Sequence, residues 1–283
     1  MDTPIIRVEN VHYRYPSGIE ALKGVSLEIY PGEFIAIMGE NGSGKTTLIK
    51  HFNGVLKPSK GHVVVKGIDT GETSVAELSK IVGIVFQNPD HQLFAENVLE
   101  EIAFPLKNFG FSEDFIKRRV EWALKIMDLE KYSNKSPYML SIGERKRLTI
   151  AAVLAYDPEV IVLDEPTAGQ DYLQKEKISE IMNLLRLAGK TVVVVTHDVE
   201  FVVEHIDRVI LMSNGHIIAD GKTPEILSRI ELIRKTRILP PQITRLAYLL
   251  YTKNIISTKY FIKTDEIIGT LLEILKDKKE EMR

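Results

Sequence analysis

The chain contains no cysteine and a single tryptophan. The first absence excludes disulfides and thiolate metal sites. Net charge is nearly absent too: 37 Lys and Arg against 39 Asp and Glu leave −2. No global basic field therefore draws the chain to nucleic acid. No apolar run approaches the roughly 20 residues needed to cross a bilayer. The opening stretch MDTPIIRVEN lacks the basic-then-apolar pattern of a signal peptide. Any membrane role is expected to come through a partner. What is present is ordinary for a soluble globular protein, with 44% hydrophobic and 27% charged residues. The 283 residues suffice for one large domain with an appendage, or for two modest domains.

Strand-like and helix-like segments alternate along the chain, which argues for an α/β fold around a mostly parallel sheet. Phe34–Met38, Val160–Leu163 and Thr191–Val195 are short, apolar and rich in β-branched residues, as fully buried strands are. Ala21–Ile29 and Gly61–Lys66 read as antiparallel strand material near the amino end. From Glu113 to Leu129, apolar positions recur at helical spacing. That polar-rich stretch predicts a helical subdomain, at about 88–157, inserted between two strands of the core sheet. Ser213-Asn214-Gly215-His216 between RVILM and IIADG predicts a hairpin with Asn-Gly as its turn. Thr223-Pro224-Glu225 then predicts a helix start with Thr223 as N-cap.

No chemistry-bearing motif appears after about residue 222. Residues 1–221 are read as the chemical domain and 222–283 as a small helical domain interrupted by Pro240-Pro241. The latter is generous in apolar residues: Leu246, Leu249, Leu250, Ile267, Ile268, Leu271, Leu272, Ile274 and Leu275. A private helical core and a dimerisation surface both account for them.

Gly39-Glu40-Asn41-Gly42-Ser43-Gly44-Lys45-Thr46 matches G-x-x-x-x-G-K-[ST], between the strand Phe34–Met38 and the helix-like Thr46–Phe52. The glycines let the backbone curl so that several N–H groups face one anion, and the helix N-terminus adds favourable potential. Lys45 is placed to reach the β- and γ-phosphates of a nucleotide, and Thr46 to offer its hydroxyl to Mg²⁺. Val160–Leu163 runs into Asp164 and Glu165. Strands often end in acids for solubility alone. Beside a phosphate loop, Asp164 could hold Mg²⁺ through water and Glu165 could polarise an attacking water. Gln87 and His197 also follow strands. A lone polar strand end is more often a satisfied loop residue, but ligands of open α/β sheets bind where such ends converge.

Tyr15 in YRYPSG, the phosphate loop, Gln87, Leu140–Glu144, Val160–Glu165, Asp171 in AGQD and His197 stand in one order. That ordered set resembles the ATP-binding subunit of an ABC transporter, over residues 5–221. The resemblance implies a P-loop NTPase fold of the ABC-ATPase type. Such a fold has a mostly parallel core sheet, an antiparallel β portion, a helical subdomain and a small C-terminal helical domain. It implies ATP hydrolysis with Mg²⁺, catalysed by Glu165, His197, Gln87 and Lys45. Mg²⁺ would lie at Thr46, Gln87 and Asp164. The nucleotide would meet Tyr15, whose counterpart stacks on adenine, then Gly39, Asn41, Gly42, Ser43, Gly44, Lys45, Thr46 and Thr47.

The family works as a head-to-tail dimer in which each ATP lies between the phosphate loop of one subunit and the Leu-Ser-x-Gly signature of the other. Ser141 and Gly143 would thus serve a second ATPase, a copy or a paralogue. Asp171 would belong to the loop coupling the two sites, where Gln170 replaces the usual leucine. A narrower resemblance, to energy-coupling-factor (ECF) importers, rests on Phe86–Ala95 with Val98–Phe104 and on the tail Leu239–Leu246. Such importers take up vitamins and transition-metal ions such as cobalt and nickel. They pair two ATPases with a transmembrane coupling protein and a small substrate-binding membrane protein. A peripheral place on the cytoplasmic face of the membrane follows, with no nucleic-acid partner. The alternatives are the ATPase of another ABC importer class and a non-transport ABC ATPase.

The signature departs from the family's usual Leu-Ser-Gly-Gly-Gln. Ile142 stands for a glycine and Glu144 for a glutamine. A β-branched residue at 142 is unfavourable if φ is positive there and acceptable if it is negative. A carboxylate near phosphates is expected to weaken the contact, giving a functional but attenuated signature.

Overall fold

The computed structural model describes residues 3–281. Among the described residues, ten strands form two sheets. Strands β1 (Ile6–Arg14), β2 (Glu20–Ile29), β4 (Lys60–Val65) and β5 (Ile68–Asp69) build an antiparallel sheet in the order β2-β1-β4-β5. The second sheet holds β3 (Phe34–Gly39), β6 (Val82–Val85), β7 (Val160–Asp164), β8 (Thr191–Val195), β9 (Arg208–Ser213) and β10 (His216–Lys222). Its order is β10-β9-β3-β8-β7-β6, parallel throughout except for the β9–β10 hairpin. That hairpin turns on Asn214 and Gly215, both at positive φ (49° and 82°), as the Asn-Gly pair requires.

Helix α1 (Lys45–Phe52) follows β3, and α2 (Val75–Ser79) precedes β6. Between β6 and β7 the chain is helical: α3 (Val98–Asn108), α4 (Glu113–Ile126) and α5 (Ile142–Ala155). Helices α6 (Tyr172–Leu187) and α7 (Val199–His205) flank β8. The tail comprises α8 (Thr223–Leu227), α9 (Ile230–Arg234), α10 (Gln242–Thr252) and α11 (Thr264–Glu281).

The parallel strands are apolar on both faces because each face meets a different layer. In β3, Phe34, Ala36 and Met38 point into the helical core, while Ile35 and Ile37 join the core under the antiparallel sheet. Val192 and Val194 divide from Val193 and Val195 in the same way. A strand covered on both sides has no polar phase, which is why these segments read as unbroken apolar runs.

The segments Ala21–Ile29 and Gly61–Lys66 are antiparallel strand material, as expected, and β1 lies between them. Its alternation is broken by a bulge between Val8 and Val11, where Asn10 sits at φ 45°. Thr223 is the first helical residue of α8 and not its N-cap, a place taken by Lys222. The Thr223 hydroxyl instead donates to the Ile206 carbonyl at 2.6 Å. The tail is anchored by Ile226, Leu227, Ile233, Ile238 and Ile262, which enter the main helical core. Ala247, Ile256 and Ile267 form a small core of their own, against which Leu250, Leu271 and Ile274 pack.

Candidate active site

Strands β3, β7 and β8 end side by side, since Ile37 pairs with Val195 and Val195 with Asp164. The residues that follow them surround a cleft of about 350 Å³. Tyr15, Asn41, Gly42, Gly44, Lys45, Thr46, Thr47, Gln87, Asp164, Glu165 and His197 line it, together with Ile19, Glu20 and Ala21.

The loop from β3 to α1 is held tight by glycine. A Cβ on Gly39 would lie 2.2 Å from the Met212 carbonyl oxygen. Gly44, at φ 103°, caps α1, and a Cβ there would lie 2.5 Å from the Ala21 oxygen. Lys45 is buried and folds back, donating to the Gly39 carbonyl at 2.7 Å and the Glu40 carbonyl at 2.9 Å. Burial lowers its pKa, against the opposing pull of Glu165, Asp164 and Glu40. The Ser43 hydroxyl is buried with no hydrogen-bond partner. An unpartnered donor and a desolvated ammonium on a loop of backbone amides are the groups a polyphosphate would satisfy.

Thr46 Oγ1 donates to Asp164 Oδ2 at 3.1 Å. Burial raises the Asp164 pKa, with the Thr46 bond acting against it. Two hard oxygens so close suit Mg²⁺, which takes one or two protein ligands beside substrate phosphates. Glu165 is buried and held in the left-handed region, at φ 49°. Its N–H donates to Val195 O at 2.7 Å. Its carboxylate accepts from the Thr196 hydroxyl at 3.1 Å and lies 2.8 Å from His197 Nδ1. A non-glycine residue in that conformation persists only where its surroundings over-determine it. The exposed His197 ring therefore reaches the cleft through its bond to Glu165.

Tyr15 stands edge-on to Tyr13, with centroids 4.9 Å apart, and its hydroxyl lies 2.9 Å from Thr47 Oγ1. Gly39 and Ser43 belong to the loop but are not among the residues lining the cleft. Ser141, Gly143 and Asp171 are not brought to this cleft. Ser141 is the exposed N-cap of α5, and Asp171 caps α6 by accepting from Gln174 N–H at 2.9 Å.

The α5 terminus answers the question raised at Ile142. That residue is in the first helical turn, exposed, and not at positive φ. Glu144 completes a capping box. Its Oε2 accepts from Ser141 N–H and from Ser141 Oγ, both at 2.8 Å, while Glu144 N–H donates to Ser141 Oγ at 3.3 Å. Partial burial pushes the Glu144 pKa up, but hydrogen bonds to Tyr132 and Ser141 outweigh it and lower the pKa. Gly143 faces Gln170 and Gln174, and a Cβ on it would lie 3.1 Å from Gln170 Oε1.

Sequence reasoning assigns no role to Thr196 or Lys146. Thr196 passes as the end of a strand. Lys146 sits in a basic run that looks solvated, yet it is only 3% exposed. Its ammonium donates to the carbonyls of Phe86 (3.3 Å), Gln87 (3.0 Å) and Asp164 (3.1 Å). Burial pushes its pKa down to about 8, against the attraction of Asp164 and Glu165.

Comparison with known proteins gives this geometry its setting. A family model described as ABC transporter matches residues 22–168. The energy-coupling factor transporter ATP-binding protein EcfA of Methanocaldococcus jannaschii is 40% identical over 276 residues, 97% of this chain and 99% of that protein. The solved structure of cbiO1 from Clostridium perfringens, part of the ABC transporter complex cbiONQ, aligns with a TM-score of 0.71 at 39% identity. That alignment covers 88% of this chain and 100% of the other. A dimeric post-hydrolysis state of the ATP-binding cassette MJ0796, bound to ADP and Pi, aligns with a TM-score of 0.70 at 35% identity. It covers 77% of this chain and 98% of that one.

Proposed function

We propose, from the premise that the chain belongs to the ABC transporter family as an ATP-hydrolysing subunit of the energy-coupling-factor type, that it powers import of a vitamin or a transition-metal ion. The observation that carries the reading is the division of its motifs. Lys45, the Thr46–Asp164 pair and the Glu165–His197 pair converge on one cleft, while the Ser141 end of α5 is exposed outside it. A cleft furnished for phosphate on one side and a free capped helix end elsewhere suit two subunits that complete each other's sites.

ATP lies with its base against Tyr15 and its phosphates on the loop amides between Asn41 and Thr47. Lys45 exchanges its carbonyl partners for the β- and γ-phosphates. Thr46, Asp164 and Gln87 would hold Mg²⁺, which would supply charge neutralisation on the phosphate oxygens. Glu165 orients a water for in-line attack on the γ-phosphorus and takes its proton as the bond to ADP breaks. Thr196 and His197 keep that carboxylate in place, and His197 offers its other ring nitrogen to the γ-phosphate. Ser141 and Gly143 of this chain close the site of a partner ATPase, a copy or a paralogue, whose own signature closes this one, and Asp171 couples the two sites. Closure on ATP and opening after hydrolysis is the two-state element that drives the membrane proteins.

Among the described residues no helix is long and apolar enough to cross a membrane. Docking to the membrane proteins uses a hollow of about 300 Å³ whose apolar lining includes Phe94, Phe104, Pro105 and Phe109. Buried Glu101 shapes its rim by accepting from Phe94 N–H (2.9 Å) and Ala95 N–H (2.8 Å). The chain then sits on the cytoplasmic face, with residues 222–283 as a helical appendage. Purification from membranes tests the reading. A coupling protein and a small substrate-binding membrane protein should come down with the chain. Recovery with a different permease class, or with no membrane protein, would overturn it.

A further inference from the structure

Arg145, Lys146 and Arg147 form a basic run in the first two turns of α5, where a solvated face is the ordinary arrangement. None of the three is used that way. Arg145 Nη1 pairs with Asp90 Oδ1 at 2.5 Å, in the loop just after Gln87. Arg147 Nε donates to the Met127 carbonyl at 2.9 Å, and its Nη1 donates to Gln174 Oε1. Lys146 turns inward and spends its donors on three carbonyls, which is all an ammonium has to give. Burying a charge is costly, so a lysine kept here needs a reason beyond filling space.

The reason lies in which carbonyls it holds. The oxygen of Asp164 and the N–H of Glu165 belong to one peptide unit. Lys146 Nζ clamps the oxygen at 3.1 Å, and Val195 O accepts the N–H at 2.7 Å. That peptide leads directly into Glu165 in its left-handed conformation, φ 49°. The carbonyls of Phe86 and Gln87 flank the backbone from which the Gln87 side chain leaves. One ammonium therefore fixes the bases of two side chains in the cleft, and it does so from the helix whose N-cap is Ser141.

We propose that Lys146 is a positioning residue for ATP hydrolysis, which holds the Asp164–Glu165 peptide and Gln87 in register with the Ser141 end of α5. It is buried and does not line the cleft itself. It makes the placement of Glu165 depend on where α5 lies, so a shift of the signature end against a partner subunit is felt at the acid. Arg145, through Asp90, braces the same loop from outside. The inference rests on the roles given above to Glu165 and Gln87.

The test compares Lys146→Met, which keeps length and apolar bulk but no donor, with Lys146→Gln, which keeps an amide donor. The full chain is assayed in the assembled complex for steady-state ATP hydrolysis, and by itself for thermal unfolding. In Lys146→Met, kcat should fall by about tenfold or more while KM for ATP stays within about threefold. Lys146→Gln should recover part of that loss. An unchanged kcat would overturn the proposal, as would a kcat loss matched by KM and by lowered melting, or a glutamine no better than methionine. If Lys146→Met does not fold, Lys146→Gln carries the same criterion, a kcat loss at unchanged KM. Glu165→Gln run alongside separates the two levels. Full turnover in that variant would refute the role of Glu165 itself, whatever Lys146 does.

Discussion

Restoring the family's usual letters to the signature, Ile142→Gly with Glu144→Gln, should make the protein less stable and a better ATPase. The stability cost follows from the capping box. Glutamine keeps an oxygen that can accept from Ser141 N–H, now 2.8 Å from Glu144. What it loses is the charge at a helix N-terminus, worth about 0.5 kcal/mol at an exposed site. Ile142 is 63% exposed, so little packing is lost, and glycine in the first helical turn costs roughly 0.5–1 kcal/mol. Together these give about 1–1.5 kcal/mol, a fall in melting temperature of roughly 2–6 °C.

The gain in activity follows from the same contact. Ser141 Oγ donates to Glu144 Oε2 at 2.8 Å, so its proton is engaged within the chain and a negative charge sits beside it. With the Ser141 end of α5 in its proposed role toward a partner's phosphates, relief of about 0.5–1 kcal/mol of unfavourable charge there would correspond to roughly a two- to fivefold rise in turnover. The assay is phosphate release by the assembled complex, with differential scanning calorimetry of the purified chain. Lower or unchanged turnover would show that the carboxylate belongs to a working signature. An unchanged melting temperature would show that the capping box contributes nothing.

Two further expectations concern the scaffold. A Cβ on Gly83 would lie 2.5 Å from Val153 Cγ1 and 2.7 Å from the Tyr156 hydroxyl. Gly83→Ala should therefore cost about 1–3 kcal/mol in urea unfolding, and a neutral result would mean that β6 and α5 can part freely. His51 is buried against Tyr13, with Nδ1 2.8 Å from the Thr47 carbonyl, and burial lowers its pKa against that bond. The unfolded chain therefore takes up the proton first as pH falls below about 6.5, and the native state loses up to about 1.4 kcal/mol per pH unit there. Above that pH the contribution is fully present. His51→Phe should remove this part of the acid sensitivity between about pH 7.5 and 5.5, and equal slopes in the two proteins would refute it.

The parts legible in the sequence are those with one local cause. β3, β7 and β8 announce themselves because both faces are buried, and the phosphate loop because its glycines, lysine and threonine have fixed spacing. Strand β1 is hidden by its own bulge, since Asn10 at φ 45° shifts the alternation by one residue. Thr223 looks like a cap because its hydroxyl could serve α8, and only the fold shows that Ile206 claims it. Lys146 is illegible for a related reason. Its partners lie at the ends of β6 and β7, which only the packing of α5 brings within reach. The apolar residues of the tail are not all used in one way. Leu250, Leu271 and Ile274 pack on the small private core, whereas Leu246, Leu249, Ile268, Leu272 and Leu275 are exposed.

The placing of Glu165 at the reacting water is the claim on which the rest depends. Glu165→Gln keeps the shape and the Thr196 and His197 contacts within reach, and removes only the base. Turnover with MgATP should fall by roughly a hundredfold or more. ATP should still bind, and light scattering should show an ATP-dependent dimer that no longer comes apart. Undiminished turnover, or no ATP-stabilised pairing either with a second copy or with the partner ATPase of the assembled complex, would contradict the account.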